Sequence, residues 1–313
     1  MSDTRQMPLF PDEPQTTADI NRHTSLKATM TLFQQHLHRE GKSAHTVKAF
    51  AADLRLVGEF LGEHMAVSKF TTSNLNHFLE WLEIGRGVPC SRKSYARRVT
   101  TIKVYFKWLH NLGAIRHDPA KAILQRSGPA PLSEVLSLEQ IDAAIAFSKT
   151  IQRKDEHDYR PEFLFRLLVN TGIKKSEAAR LTLEDIDRTN PQRPILYVRQ
   201  RTRNVYKERR IPLDPDLLEL LDLYVEQYGL ETLIFDCTAR NLEYILTDIG
   251  EGAKIPFKLS FEVMRWTSAV RDYRSGIDEQ AIREKLGLSE ASWYETSKKI
   301  KKLTERLEMQ EGE

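Results

Sequence analysis

Residues 91–113 read SRKSYARRVTTIKVYFKWLHNLG. Gly113 is a good terminator, so the stretch predicts one long helix that ends there. Tyr95, Val99, Ile102, Tyr105 or Phe106, and Leu109 recur at helical spacing and mark its inward stripe. The same helix carries Arg92, Lys93, Arg97, Arg98, Lys103 and Lys107. It therefore has an apolar face and a basic face. Two readings stand at this point. The basic face touches a phosphate backbone, which sets orientation rather than sequence choice, or it is a solvated face of snorkelling side chains.

Working outward, three further helices precede it. LKATMTLFQQHLHREG puts Leu26, Met30, Phe33 and Leu37 on one face and stops at Gly41. Ser43 caps AHTVKAFAADLRLVGEFLGEH, with Val47, Phe50, Leu54, Val57 and Leu61 inward. TTSNLNHFLEWL, capped at Thr72 or Ser73, buries Leu75, Phe78, Leu79 and Leu82. The four make a helical first domain over residues 24–125. It holds 15 Lys/Arg and 7 Asp/Glu, a net charge of +8, which leaves −5 for the rest of a chain whose total is +3. A basic domain beside a mildly acidic one points to a polyanionic partner for the basic part. Residues 1–23 are polar, with Pro8, Pro11 and Pro14, and read as a flexible tail. In it, Gln6, Leu9 and Phe10 have the spacing of short peptides that dock on bacterial sliding clamps. An incidental apolar cluster is the other reading.

Residues 126–135 form a linker stiffened by Gly128, Pro129 and Pro131. A second domain, 136–313, follows. SLEQIDAAIAFSKTI and RPEFLFRLLVNTG read as helices, and KKSEAARLTLEDID as a short one. PILYVRQ alternates like a strand, RTRNVYK turns, and ERRIPLD returns. Helices then cover DPDLLELLDLYVEQYG, SFEVMRWTSAVRDYRSG, IDEQAIREKLGL and SWYETSKKIKKLTERLEMQ. In the last, Ile300, Leu303 and Leu307 form a stripe that either packs on the chain itself or docks on a neighbouring subunit.

Length and composition fit a two-domain soluble protein: 313 residues, 40% hydrophobic and 29% charged. No apolar run is long enough for a membrane span, and no signal-like stretch opens the chain, so a cytoplasmic location is expected. Cys90 and Cys237 lack metal-ligand spacing. There is no glycine-rich phosphate loop and no His/Cys cluster, so no metal and no cofactor are expected.

The order and wording of these segments resemble the tyrosine recombinase, or phage integrase, family in its Xer-like form, over residues 25–307. In the first domain the likeness rests on Ser43, Thr46, Phe50, Asp53, Leu54, Phe60 and Leu61, and on RRVTTIKVYFKWLHNLGAIRHDPA. In the second it rests on LLVNTGIKKSEAARLTLEDID, KERRIPL and MRWTSAVRDYRSGIDEQAIREKLGL, with Gly276 and Gly287 in register. The resemblance implies a mainly helical fold: a four-helix SAM-like core-binding domain, then a helical catalytic domain with a small hairpin or sheet. It also implies a reaction on double-stranded DNA. A tyrosine attacks a phosphodiester to form a 3′-phosphotyrosyl link, which a second strand's hydroxyl then reverses.

Such chemistry needs two arginines on the phosphate, a lysine to protonate the leaving oxygen, histidines to move protons, and the tyrosine. Seat by seat, the residues have changed. Lys174 stands in the first arginine seat, keeping the charge but losing the fork. Glu177 matches the family's supporting acid, or is simply an N-terminal helix carboxylate. Asn204 falls in the lysine seat. Arg201, Arg203 and Lys207 lie nearby, as substitutes or as a basic hairpin touching phosphates. Arg265 is retained and is followed by Trp266. Glu262 replaces a histidine, and its carboxylate repels a phosphate unless its pKa is raised. Leu288 replaces another histidine. The nucleophile seat lands on Ser297, while Tyr294 lies about 4.5 Å of helical rise earlier. All nine histidines lie between His23 and His157. The expectation is a DNA-binding member of the family with impaired or absent cleavage. An active enzyme rebuilt around Tyr294, Arg265, Lys174 and Glu262 is the alternative, and a protein-interaction scaffold a second.

Overall fold

The structure, a computed structural model, describes residues 14–123, 132–202 and 205–311, without the side chains of 200–206. The chain divides into two compact units, Met1–Ala130 and Pro131–Glu313. Gln6–Phe10, Gly128 and Pro129 lie outside the described residues.

The first unit is four helices: α1 (Leu26–Arg39), α2 (Ala44–Leu61), α3 (Thr72–Glu80) and α4 (Arg92–Asn111). Each starts where a hydroxyl side chain accepts from the backbone N–H three residues on: Ser25, Ser43, Thr71 and Ser91. The third cap is therefore Thr71, one residue before the expected position, because Asn74 completes a reciprocal capping box there. The core contains Leu26, Phe33, Leu37, Leu54, Leu75 and Phe78 with the α4 stripe, and both Tyr105 and Phe106 are buried in it. Tyr105 shares its hydroxyl with Thr29 at 2.5 Å, which satisfies both groups in the dry interior.

The second unit begins with α5 (Leu138–Ser148). A short hairpin of β1 (Gln152–Arg153) and β2 (Glu156–His157) leads to α6 (Tyr159–Thr171) and the single turn α7 (Lys175–Ala178). The expected short helix over 174–187 is thus cut to one turn, followed by a 3-10 turn at Leu183–Asp185. An antiparallel sheet of β3 (Ile186–Asp187), β4 (Ile195–Thr202) and β5 (Val205–Pro212) follows, in that order. Its ladder runs to Thr202↔Val205, so the strands take in most of the stretch read as a turn. Opposed charges support this register: Arg199 meets Glu208 across the strands at 3.0 Å.

The remaining helices are α8 (Asp216–Tyr228), α9 (Ala239–Gly252), α10 (Phe261–Arg274), α11 (Glu279–Leu286) and α12 (Glu290–Glu311). The main core gathers α5, α6, α8, α9 and the sheet around Phe163, Leu167, Leu196, Ile211 and Leu246. A second cluster joins α10, α11 and α12 through Ala269, Val270, Ile282, Leu286, Ile300, Leu303 and Leu307. Of the two packings open to the α12 stripe, the structure thus has the intramolecular one. Val135, expected in the linker, is buried in that cluster, and Arg306 donates to the Ser133 carbonyl at 2.7 Å. Among the described residues no helix is long and apolar enough to cross a membrane.

Candidate functional site

Two glycine-terminated helices shape the site. α6 ends at Gly172 and α11 at Gly287, both in the left-handed conformation, with φ of 58° and 62°. Their ends leave carbonyls without helical partners. Arg265, on the second turn of α10, donates Nη1 to the Gly172 carbonyl at 2.6 Å and Nη2 to the Leu286 carbonyl. One guanidinium therefore ties three elements together. A guanidinium carries five N–H donors, so three remain for an anion.

A second arginine, not foreseen, sits beside it. Arg209 of β5 donates Nε to the Lys285 carbonyl at 2.9 Å. Its other two nitrogens form a fork on Glu177, at 2.9 and 2.7 Å. Glu177 in turn accepts from the Lys174 backbone N–H at 2.8 Å. The last turn of α11 thus supplies neighbouring carbonyls to two arginines. Lys285 itself is held by Asp272 at 2.6 Å.

The electrostatics follow from this crowding. Burial pushes the Arg265 guanidinium down to about 10. Glu177 opposes that shift and Arg209 adds to it, and the group is still a cation at neutral pH. Lys174 is lowered by burial and by repulsion from Arg265 and Arg209, against the pull of Glu177. Burial alone would raise Glu177, but the Arg209 fork outweighs it and holds the carboxyl below its usual range. Lys174, Arg209 and Arg265 around Glu177 carry a net charge of +2. A pocket of about 150 Å3 opens here, lined in part by Lys174, Ser176, Glu177 and Arg180. A groove of about 670 Å3 is lined by Lys207, Arg209, Arg210 and Leu288, among others.

The cleavage groups are placed differently. Glu262 is exposed on the first turn of α10 and makes no hydrogen bond or ion pair with the described residues. Leu288 packs on the apolar cluster under α12. Trp293 also anchors there, whereas Tyr294 is 62% exposed, with the Lys298 ammonium 3.8 Å from its ring centre. Its hydroxyl has no hydrogen bond to Arg265, Lys174 or any other described residue. Ser297 turns its hydroxyl to the Tyr294 carbonyl at 3.2 Å and makes no hydrogen bond to a side-chain base among the described residues. Lys207 is exposed on β5, while the side chains of Arg201 and Arg203, and all of Asn204, lie outside the described residues.

On α4, Arg92, Lys93 and Lys107 are exposed and Lys103 is half-buried. Arg97 is exposed at its edge but forks onto Asp53, at 2.9 and 2.7 Å. Arg98 departs from expectation: it is buried, with Nη1 on the Cys90 sulfur and Nε 3.6 Å from Asp53. It belongs to the packing of the unit and not to the basic face.

Gly287→Ala tests the α11 turn. An added Cβ meets the Arg209 Nη1 at 3.0 Å, in a left-handed conformation that costs about 1–2 kcal/mol by itself. Gly276 has φ of 74° and open space around it. In urea melts followed through Trp266 and Trp293, Gly287→Ala should therefore lose more stability than Gly276→Ala. Equal losses would mean that Arg209 yields freely.

Residues 30–113 match the family profile "Phage integrase, N-terminal SAM-like domain". Residues 134–298, more than half of the chain, match "Phage integrase family". The chain belongs to the phage integrase family of tyrosine recombinases. Among curated integrase relatives, tyrosine recombinase XerC of Myxococcus xanthus is 28% identical over 288 residues, covering 86% of this chain and 92% of its own. XerC of Mycobacterium sp. (strain JLS) is 28% identical over 164 residues, covering 52% of this chain and 55% of its own. The chain thus spans about half the length of such mycobacterial relatives. Among solved structures, XerH recombinase bound to a palindromic difH substrate matches with a TM-score of 0.70 at 16% identity, over 97% of both chains. A lambda integrase dimer bound to a COC′ core site matches with a TM-score of 0.69 at 16% identity, over 87% of this chain and 76% of the other. At these identities the likeness is one of fold.

Proposed function

We propose that this integrase-family protein binds double-stranded DNA in integration or site-specific recombination, with impaired or no strand cleavage of its own. The observation that carries the reading is the cluster of Lys174, Arg209 and Arg265. It has a net charge of +2 and three unspent donors on Arg265, which suit a backbone phosphate. Lambda integrase has been solved bound to DNA, which supports the same partner.

The loss of histidine from both histidine seats supports the second half. No histidine follows His157 in the sequence, and Leu288 offers neither donor nor acceptor. Losing one acid–base group typically slows such a step by about 10²–10⁴. One observation favours the active alternative: Tyr294 is exposed instead of packed away.

A nicked suicide duplex separates the two. The expected result is a salt-sensitive mobility shift with no covalent adduct on a denaturing gel, and no change in Tyr294→Phe. An adduct that disappears in Tyr294→Phe would overturn the non-cleaving reading. No shift at any salt concentration would remove the DNA-binding one.

A further inference from the structure

The N-terminal unit has a groove of about 960 Å3 that no part of the proposed function uses. It is lined by residues 20–23, 66–72 and 113–119: the approach to α1, the α2–α3 connection and the chain just beyond α4. Arg22, Lys69 and Arg116 stand exposed on its walls with His23 and His117. None of the three cations forms an ion pair with a described residue. Arg22 donates Nε to Nε2 of its neighbour His23 at 2.9 Å. The one carboxylate in the lining, Asp118, accepts from the Ala120 N–H at 2.8 Å. The groove carries a net charge of +2 before either imidazole is protonated.

Its position relative to α4 gives it meaning. Lys93, Arg97, Thr100, Lys107 and Asn111 follow one another at three-, four- and seven-residue steps and are all exposed. They form one polar face along a helix of 20 residues, about 30 Å long. Gly113, two residues past the end of that helix, is already part of the groove wall. The polar face of α4 therefore leads to a further set of cations that have no ion pair among the described residues.

We propose that this groove is a second phosphate-binding surface, which takes the sugar–phosphate backbone of duplex DNA beyond the reach of α4. The inference rests on the duplex-binding reading above. At 3.4 Å per base pair along a strand, α4 spans roughly 9 base pairs, and only a longer duplex fills the groove as well.

The test uses the full chain, with Arg22→Gln, Lys69→Gln and Arg116→Gln combined. Binding is measured against salt on duplexes of about 10 and about 30 base pairs. On the long duplex the triple variant should flatten the slope of log K against log salt by about 2–3, since each phosphate contact contributes about 0.9. On the short duplex the two proteins should bind alike. A companion variant, Arg22→Lys with Arg116→Lys, keeps the charge and should keep the wild-type slope, which separates charge from folding. An unchanged slope on the long duplex would overturn the inference, as would equal losses on both lengths. A groove that binds polyglutamate while leaving the long-duplex slope intact would overturn it in favour of an acidic protein partner. Wild-type protein that binds neither duplex would remove the duplex reading itself.

Discussion

Glu177→Ala is expected to cost the C-terminal unit about 3–5 kcal/mol, the usual consequence of removing one partner from a buried ion pair. The Glu177 and Arg209 side chains are only 9% and 13% exposed, and they meet through two hydrogen bonds. Without the carboxylate, Arg209 keeps its charge and the Lys285 carbonyl but loses its counter-ion. Lys174 loses the acceptor for its backbone N–H. The three cations then face one another unscreened. The loss also has a pH signature. Glu177 is depressed in the folded state, so its contribution is complete above the unfolded value of about 4.3 and vanishes as pH falls through the lower folded value. Urea melts of wild type and variant, read through Trp266 and Trp293 from about pH 7 down to about pH 3, should converge at the acid end. A gap that stays constant across that range would mean that the ionised carboxylate is not its source.

Arg209 also shows how much of the site was legible. A strand alternates its faces, so Arg209 shares a side with Ile211, which is fully buried, whereas Arg210 points away. That alternation was present in KERRIPL. Arg98 was misplaced for a related reason. It lies three residues after Tyr95 and four before Ile102, on the arc that faces the core. Its charge argued for the surface, and only the buried Asp53 on another helix explains its position. Lys174 and Arg265 are legible through the resemblance of TGIKKSE and MRWTSAVRDYRSG to the family's segments. What joins Arg265 to Arg209, the neighbouring carbonyls at the end of α11, is backbone and leaves no residue-type signature. The β1–β2 hairpin escaped because Lys154 and Asp155 take positive φ where glycine or asparagine would normally announce a turn. For α9, which the expected helices omit, the spacing of Leu242, Ile245, Leu246 and Ile249 is ordinary helical evidence.

In the N-terminal unit, Asp53→Ala is expected to be as damaging, about 3–5 kcal/mol. Asp53 is 2% exposed and is the common acceptor for α4. Arg97 reaches it through Nε and Nη2, Thr101 through its hydroxyl at 2.9 Å, and the buried Arg98 lies 3.6 Å away. Alanine leaves Arg98 as a buried cation whose Nε already lacks a hydrogen-bond partner. It also frees Arg97 to swing into solvent on the basic face. The consequence for function differs from that for stability. The α4 face gains a mobile guanidinium, so duplex affinity per folded molecule should hold while the melting transition drops. Urea unfolding followed through Trp81 and Trp108, paired with mobility shifts at a temperature where both proteins are folded, separates the two quantities. Asp53→Asn keeps one acceptor oxygen but sets an amide NH2 against a donor at the other, so it loses the charge and part of the fork, and should fall between wild type and alanine. A variant that retains wild-type stability would mean that Asp53 merely accompanies the two arginines. A variant that stays folded but loses duplex binding would mean that the fork holds Arg97 in place for the phosphate.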